Sequence, residues 1–329
     1  MKVLVTGGAG FIGSHLTEML LAEGHQVVVL DNYSTGRPEN LSQLPDTTNL
    51  QLVECDITDH KKIKPLFQGV SQVFHVAALA DIVPSIQAPF AYHNSNVDGT
   101  ISVLEAAREA GVKRFVYAAS SSCYGIPDVY PTPETAEIRP QYPYALTKNV
   151  GEQYVRHWSQ VYGLPTVCCR FFNVFGTRSR TSGTYGAVFG VFLKQKLAEQ
   201  PLTVVGDGTQ TRDFTYVTDV CRAMMMAADS DLNNEVLNVG TGNPQSVNRL
   251  VELLGGEKTY IPKRPGEPDC THADISKITK LLGWQPEVPF EEGVARMLKN
   301  IQYWANAPLW TPENIEVATK DWFELLGDV

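Results

Sequence analysis

Tyr144 and Lys148 stand four residues apart in the string YALTK, and Gly7, Gly10 and Gly13 recur every third residue in VLVTGGAGFIG, residues 3–13. The first spacing puts a phenol and an amine on one helix face. The second makes a tight turn whose backbone N–H groups, with the following helix N-terminus, face a pyrophosphate. Each string alone is weak: YxxxK recurs by chance, and a glycine-rich turn need hold no ligand. Together they predict chemistry on a carbonyl or alcohol beside a nicotinamide ring. A tyrosine titrating near pH 10 is a poor base at neutral pH, and lowering it by roughly 3 units takes about 4 kcal/mol. A neighbouring ammonium and a cationic ring are expected to supply that.

The elements that must position these residues alternate. Strand patterns at Lys2–Thr6, His25–Leu30, Leu50–Glu54, Val73–Val76, Arg114–Ala118 and Thr166–Arg170 are separated by helical patterns at Phe11–Glu23, Ile101–Ala110 and Tyr144–Tyr162. This alternation reads as βαβ units around a parallel sheet. Asp31 closes the second strand, where a carboxylate accepts bonds from the adenosine ribose and repels a 2′-phosphate, favouring NAD over NADP. Arg37, close by in sequence, pulls the other way. After residue 174 glycine, threonine and proline thicken and the strands shorten (Leu202–Val205, Val236–Val239, Thr259–Ile261). Helices are expected near Val188–Glu199, Asp219–Ala228, Ser246–Leu254, Ser276–Leu282, Phe290–Ala305 and Pro312–Leu326. The predicted class is α/β: a Rossmann-type doubly wound parallel sheet with a smaller, mixed α/β C-terminal substrate-binding domain. The expected boundaries are 1–173 with about 207–235 for the dinucleotide domain, and 174–206 with 236–329 for the other.

The bulk properties exclude several classes. The 329 residues have a formal net charge of −9 and no Lys/Arg stripe, which argues against nucleic acid as partner. No run reaches about 18 apolar residues, so no membrane span is expected. The six cysteines lack metal-ligand spacing and read as reduced thiols. With a buried strand pattern starting directly after Met1, this predicts a cytoplasmic protein without a signal peptide. His15, His75 and His157 are isolated and read as structural, no metal is expected, and Trp304, Trp310 and Trp322 read as anchors of the C-terminal helices.

The chain resembles the extended short-chain dehydrogenases/reductases that act on nucleotide sugars, nearest to UDP-sugar 4-epimerases. The resemblance runs over essentially the whole chain. It rests on TGGAGFIGSH at 6–15, Asp56-Ile57, HVAA at 75–78, NVDGT at 96–100, SSSCYG at 120–125, YALTK, RFFN at 170–173, GDGTQTRD at 206–213 and RPGE at 264–267. It implies that Tyr144 is base and acid at the sugar O4, that Lys148 holds the nicotinamide ribose, and that Ser120 bonds the reacting oxygen. NAD would be held by Gly7, Gly10, Phe11, Ile12, Gly13, Asp31, Asn32, Asp56, Ile57, Ala77, Ala78 and Asn96, with Tyr144 and Lys148. The substrate would be held by Ser121, Ser122, Asn173, Arg212, Arg264, Glu267 and Thr271. Ser121 and Ser122 fit a helix cap equally well.

The implied reaction is NAD-dependent 4-epimerisation through a 4-keto sugar. In the resembling 4,6-dehydratases an Asp-Glu pair follows the residue matching Ser120; here Ser121 and Ser122 stand there, and neither ionises near neutral pH. UDP-glucuronate epimerisation or decarboxylation stays open, as do other nucleotide-sugar reductases. A sensor that has lost the chemistry is disfavoured, since Tyr144 and Lys148 are both kept. Threonine at 271 leaves room for an N-acetyl group that a bulky aromatic would exclude. The segment Ser179–Gly190 is expected to line the sugar pocket, with Arg180 either meeting a uronate carboxylate or solvated. The family commonly dimerises through a four-helix bundle, here helices 100–110 and 144–162, unless those faces pack inside the monomer.

Overall fold

The computed structural model describes residues 1–42, 44–179 and 188–327. Six strands, β1 (Lys2–Thr6), β2 (Gln26–Asp31), β3 (Leu50–Glu54), β4 (Gln72–His75), β5 (Arg114–Ser120) and β6 (Thr166–Phe171), join Glu235–Val239 in one seven-stranded sheet. The spatial order is β3-β2-β1-β4-β5-β6 and then Glu235–Val239, all parallel. The order reverses between β1 and β4, and the crevice beyond the strand ends at such a switch point is where open α/β sheets bind ligands.

Both faces of the sheet are covered, which is why its strands read as apolar runs. Alternate residues of β1 serve different layers: Val3 and Val5 pack into one buried cluster and Leu4 into the other. Helices Phe11–Ala22 and Val217–Asp229 contact each other on the first side, and Gly99–Glu109 and Pro143–Tyr162 do so on the second. The helix Pro143–Tyr162 starts on proline and stops at Gly163, which takes φ 69°.

The later region builds short two-stranded pairs, Leu202–Val205 with Lys258–Ile261 and Thr211–Arg212 with Gln245–Ser246. One sequence boundary is corrected. The strand Glu235–Val239 pairs with β6 in the central sheet and does not lie apart from it with the rest of 236–329. Its pairing partner is far away in sequence, so no local pattern marks it. Among the described residues no helix is long and apolar enough to cross a membrane.

Candidate active site

The glycine turn sits at the switch point. Gly7 has φ 70°, and a Cβ there would lie 2.8 Å from the Ala77 backbone; a Cβ on Gly13 would lie 2.1 Å from the Gly7 carbonyl oxygen. The turn is thus pinned between β1, the loop after β4 and the helix Phe11–Ala22. Gly10 caps that helix with no side-chain hydrogen bond, so its first N–H groups meet no capping side chain. Asp31 fixes the turn from the side: Ala9 N donates to Oδ2 at 2.9 Å and Tyr33 N to Oδ1 at 2.8 Å. Burial raises the Asp31 pKa despite these two bonds.

Around this turn lies a cavity of about 350 Å³. Of the residues expected to hold the cofactor, Gly7, Gly10, Phe11, Ile12, Gly13, Asp31, Asn32, Ile57, Ala77 and Ala78 line it. Asp56 stands behind Asn32 and accepts from its Nδ2 at 2.9 Å. Asn96 works from below: its Oδ1 accepts from Leu79 N and its Nδ2 donates to Leu79 O and Thr147 Oγ1. A buried chain braces the same ends. Thr6 Oγ1 meets His75 Nδ1 at 2.7 Å, His75 Nε2 meets Thr100 Oγ1 at 2.9 Å, and Thr100 donates to Asn96 O. Burial, helped by the Lys148 charge, holds His75 down to about 3, so the ring is neutral and structural. His15 is likewise structural, held against Thr177 O and pulled by burial to about 4, and His157 is an exposed helix residue. Arg37 reaches the cavity wall while its guanidinium lies 5.0 Å from the Tyr303 ring centroid and 3.8 Å from Glu39.

The reactive groups, none of which lines this cavity, sit on different elements. Tyr144 is in the first turn of its helix and Ser120 ends β5; the phenol donates to Ser120 Oγ at 3.3 Å. Ser120 Oγ also lies 2.8 Å from Ser122 Oγ and caps the short turn Ser121–Tyr124 by accepting from Ser122 N. The cap of the serine run is thus supplied by Ser120 and not by Ser121 or Ser122. Tyr142 stacks on Tyr144, ring centroids 6.4 Å apart and planes 7° apart. Lys148, one turn on, is buried with Nζ 4.2 Å from the Tyr117 ring centroid.

The protonation balance differs from the expectation. Burial raises the Tyr144 pKa, opposed by the Ser120 hydrogen bond, and burial pulls Lys148 down to about 7. The Ser120 hydrogen bond lowers the phenol's pKa against that burial, and the Lys148 amine lies over the Tyr117 ring.

The residues expected to hold substrate fall into two groups. Arg212 Nη2 donates to Glu267 Oε1 at 2.9 Å, and Arg264 Nη1 lies 3.7 Å from Glu267 Oε2. Two guanidinium groups thus flank one carboxylate. Thr271 donates to Asn173 Oδ1 at 2.7 Å and accepts from Asp213 N at 3.0 Å. Arg180 and residues 181–187 lie outside the described residues, while Ser179, Phe189 and Gly190 line the cavity beside the glycine turn. Pattern reading missed that Pro308 and Trp310, between the expected helices Phe290–Ala305 and Pro312–Leu326, close the same cavity. It also missed the Thr6–His75–Thr100 chain. No local signal marks either, although a buried-type histidine at a strand end hinted at the second.

A family model described as GDP-mannose 4,6 dehydratase matches residues 4–297. A UDP-glucose 4-epimerase of Mycolicibacterium smegmatis is 37% identical, over 93% of this chain and 99% of that one. A UDP-glucose 4-epimerase of Thermotoga maritima, solved with UDP-glucose, superposes with a TM-score of 0.86 at 35% identity, covering 92% and 99% of the two chains. A UDP-glucuronic acid 4-epimerase of Bacillus cereus, solved with UDP-glucuronic acid and NAD, gives 0.85 at 33% identity with the same coverage.

Proposed function

This chain belongs to the GDP-mannose 4,6-dehydratase family of extended short-chain dehydrogenases/reductases, and from that premise we propose that it is an NAD-dependent UDP-sugar 4-epimerase. The observation that carries the reading is the Tyr144–Ser120 contact at the end of β5, followed by two non-ionisable serines. The cradle fits a dinucleotide: glycine turn, uncapped helix start and buried Asp31 converge on one cavity.

Bound NAD supplies a hydride acceptor that returns the hydride to the same carbon. Everything else falls to the chain. Tyr144 takes the proton from the sugar O4 and gives it back, with Ser120 bonding the same oxygen. Lys148, buried at the base of the helix, supplies positive charge that favours the phenolate once its amine is protonated. Arg212 and Arg264 grip the diphosphate while the flat 4-keto sugar turns over, and Glu267 stands at the uridine end. Asn173 and Thr271 shape the hexose pocket. Dehydration needs a further acid and base beside C5 and C6, and Ser121 and Ser122 supply neither. This separates the proposed reaction from the one in the family's name.

Threonine at 271 admits UDP-glucose/galactose and their N-acetylamino forms, and UDP-glucuronate is the competing sugar. Proton NMR with UDP-GlcNAc, UDP-Glc and UDP-GlcA in separate tubes tests the reading. The galacto partner appearing in any tube supports it; three unchanged spectra sink it.

We also propose the enzyme as a homodimer through Gly99–Glu109 and Pro143–Tyr162, whose second helix keeps Leu146, Val161 and Tyr162 exposed. A monomeric mass by light scattering would remove that part. The chain's six cysteines are unpaired, which supports a reducing, cytoplasmic setting. The two-domain division belongs to the same reading, with Glu235–Val239 moved to the dinucleotide side.

A further inference from the structure

The family match ends at residue 297, yet the chain continues into another helix, Pro312–Leu326. That helix is locally self-sufficient at its start: Thr311 and Asn314 form a reciprocal capping box and Pro312 opens the first turn. Its buried face is Ile315, Thr319 and Trp322, four and three residues apart, as one helical stripe requires. Two contacts show where this face is aimed. The Trp322 indole N–H donates to the Pro265 carbonyl at 2.9 Å, and the Arg264 guanidinium carbon lies 5.4 Å from the Trp322 ring centroid. Next to it, Asp321 accepts from Gln87 Nε2 at 2.8 Å, and Gln87 ends the helix Ile82–Gln87 that follows the Ala77-Ala78 loop. The added helix therefore spans from the cofactor side of the cleft to the loop that carries Arg264 and Glu267.

We propose that Trp322 is a positioning residue for nucleotide-sugar binding, holding Arg264 and its loop in the geometry that grips the diphosphate. The proposal rests on the reading of Arg264 given above. An unsupported arginine samples many rotamers, and ordering it on binding costs affinity. A ring on the guanidinium face removes much of that freedom without occupying the N–H donors. The indole N–H adds a backbone anchor one residue from Arg264, so side chain and loop are held together. Arg264 in turn faces Glu267, which also takes Arg212, so a loose Arg264 would disturb both cations.

The test uses the NAD-loaded full-length enzyme, with UDP as the titrated ligand in calorimetry. Trp322→Leu removes the π face and the donor, and Trp322→Phe keeps the face alone in a side chain closer in size. The leucine variant is expected to weaken UDP binding about tenfold, the size of a lost partly buried cation–π contact, with phenylalanine in between. The loss should sit in KM for the UDP-sugar more than in kcat. The double variant Trp322→Leu/Arg264→Ala should bind UDP no more weakly than Arg264→Ala alone, because both remove one interaction. A helix that serves only stability would lower the melting temperature and leave these ratios alone. Parent-like UDP binding in both Trp322 variants, with Arg264→Ala impaired, overturns the role of Trp322. Additive losses overturn it as well. Parent-like binding in Arg264→Ala overturns the underlying reading of the arginine, and Trp322 falls with it.

Discussion

The Tyr144 phenol and the Ser120 hydroxyl stand 3.3 Å apart although they come from a helix start and a strand end separated by the whole loop 125–142. The loop brings no acid between them; it brings Tyr142, stacked on Tyr144. A proton leaving a sugar hydroxyl at this point meets one phenol and one serine. Tyr144→Phe is therefore expected to lower kcat by about 10³-fold or more, and Ser120→Ala by about 10²-fold, the range for a lost acid–base group and its helper. Both should keep NAD content and UDP affinity. Turnover of Tyr144→Phe within tenfold of the parent would reassign the base.

Lys148 makes stability depend on pH. Its folded pKa is depressed to about 7 by burial, while in the unfolded chain it returns to 10.5. Between those values the unfolded chain binds a proton that the folded chain does not, so this group makes stability rise with pH across that window. The slope is at most about 1.4 kcal/mol per pH unit. Lys148→Met should flatten the rise between pH 7 and 9 in denaturant titrations of nucleotide-stripped protein. Parallel pH curves for the two proteins would place the charge elsewhere.

Glu152 follows Lys148 by one turn and accepts from Nε and Nη2 of the Arg170 guanidinium, at 2.8 and 2.6 Å, with both side chains buried. The pair ties the catalytic helix to β6. Glu152→Ala strands a buried guanidinium and should cost about 3–5 kcal/mol, whereas an apolar double replacement, Glu152→Met with Arg170→Met, should recover most of it. Denaturant midpoints measure both. A double variant as weak as the single one would mean that the pair supplies net stability.

How much of this was legible in the chain depends on range. Strands β1, β3 and β6 and the helices Ser276–Leu282 and Pro312–Leu326 are readable because period and caps are local signals. The glycine turn was legible because Gly7 and Gly13 answer to contacts that admit no side chain. Long-range pairings were not: Glu235–Val239 beside β6, Lys148 over Tyr117, Trp310 at the cavity wall and Trp322 against Arg264 each join residues whose own neighbourhoods look ordinary.

Thr271 offers the sharpest test of sugar choice. Its hydroxyl donates to Asn173 at 2.7 Å and accepts from Asp213 N at 3.0 Å, so it is locked by two bonds. A substitution at 271 that changes size alters two things, the room in the pocket and the anchoring of Asn173. Thr271→Val keeps the volume and removes only the bonds, at a cost of about 1–3 kcal/mol if the partners stay buried and unpaired. Thr271→Tyr removes the bonds and adds a ring. If volume sets the choice, the valine variant should turn over UDP-GlcNAc and UDP-Glc in the parent's ratio. The tyrosine variant should lose UDP-GlcNAc about 10²-fold while keeping UDP-Glc, because a clash discriminates where lost anchoring does not. Competition assays with both sugars in one tube read the ratio of kcat/KM directly. An equal fall for both sugars in the tyrosine variant would show that Thr271 acts through Asn173 and not through the room it leaves.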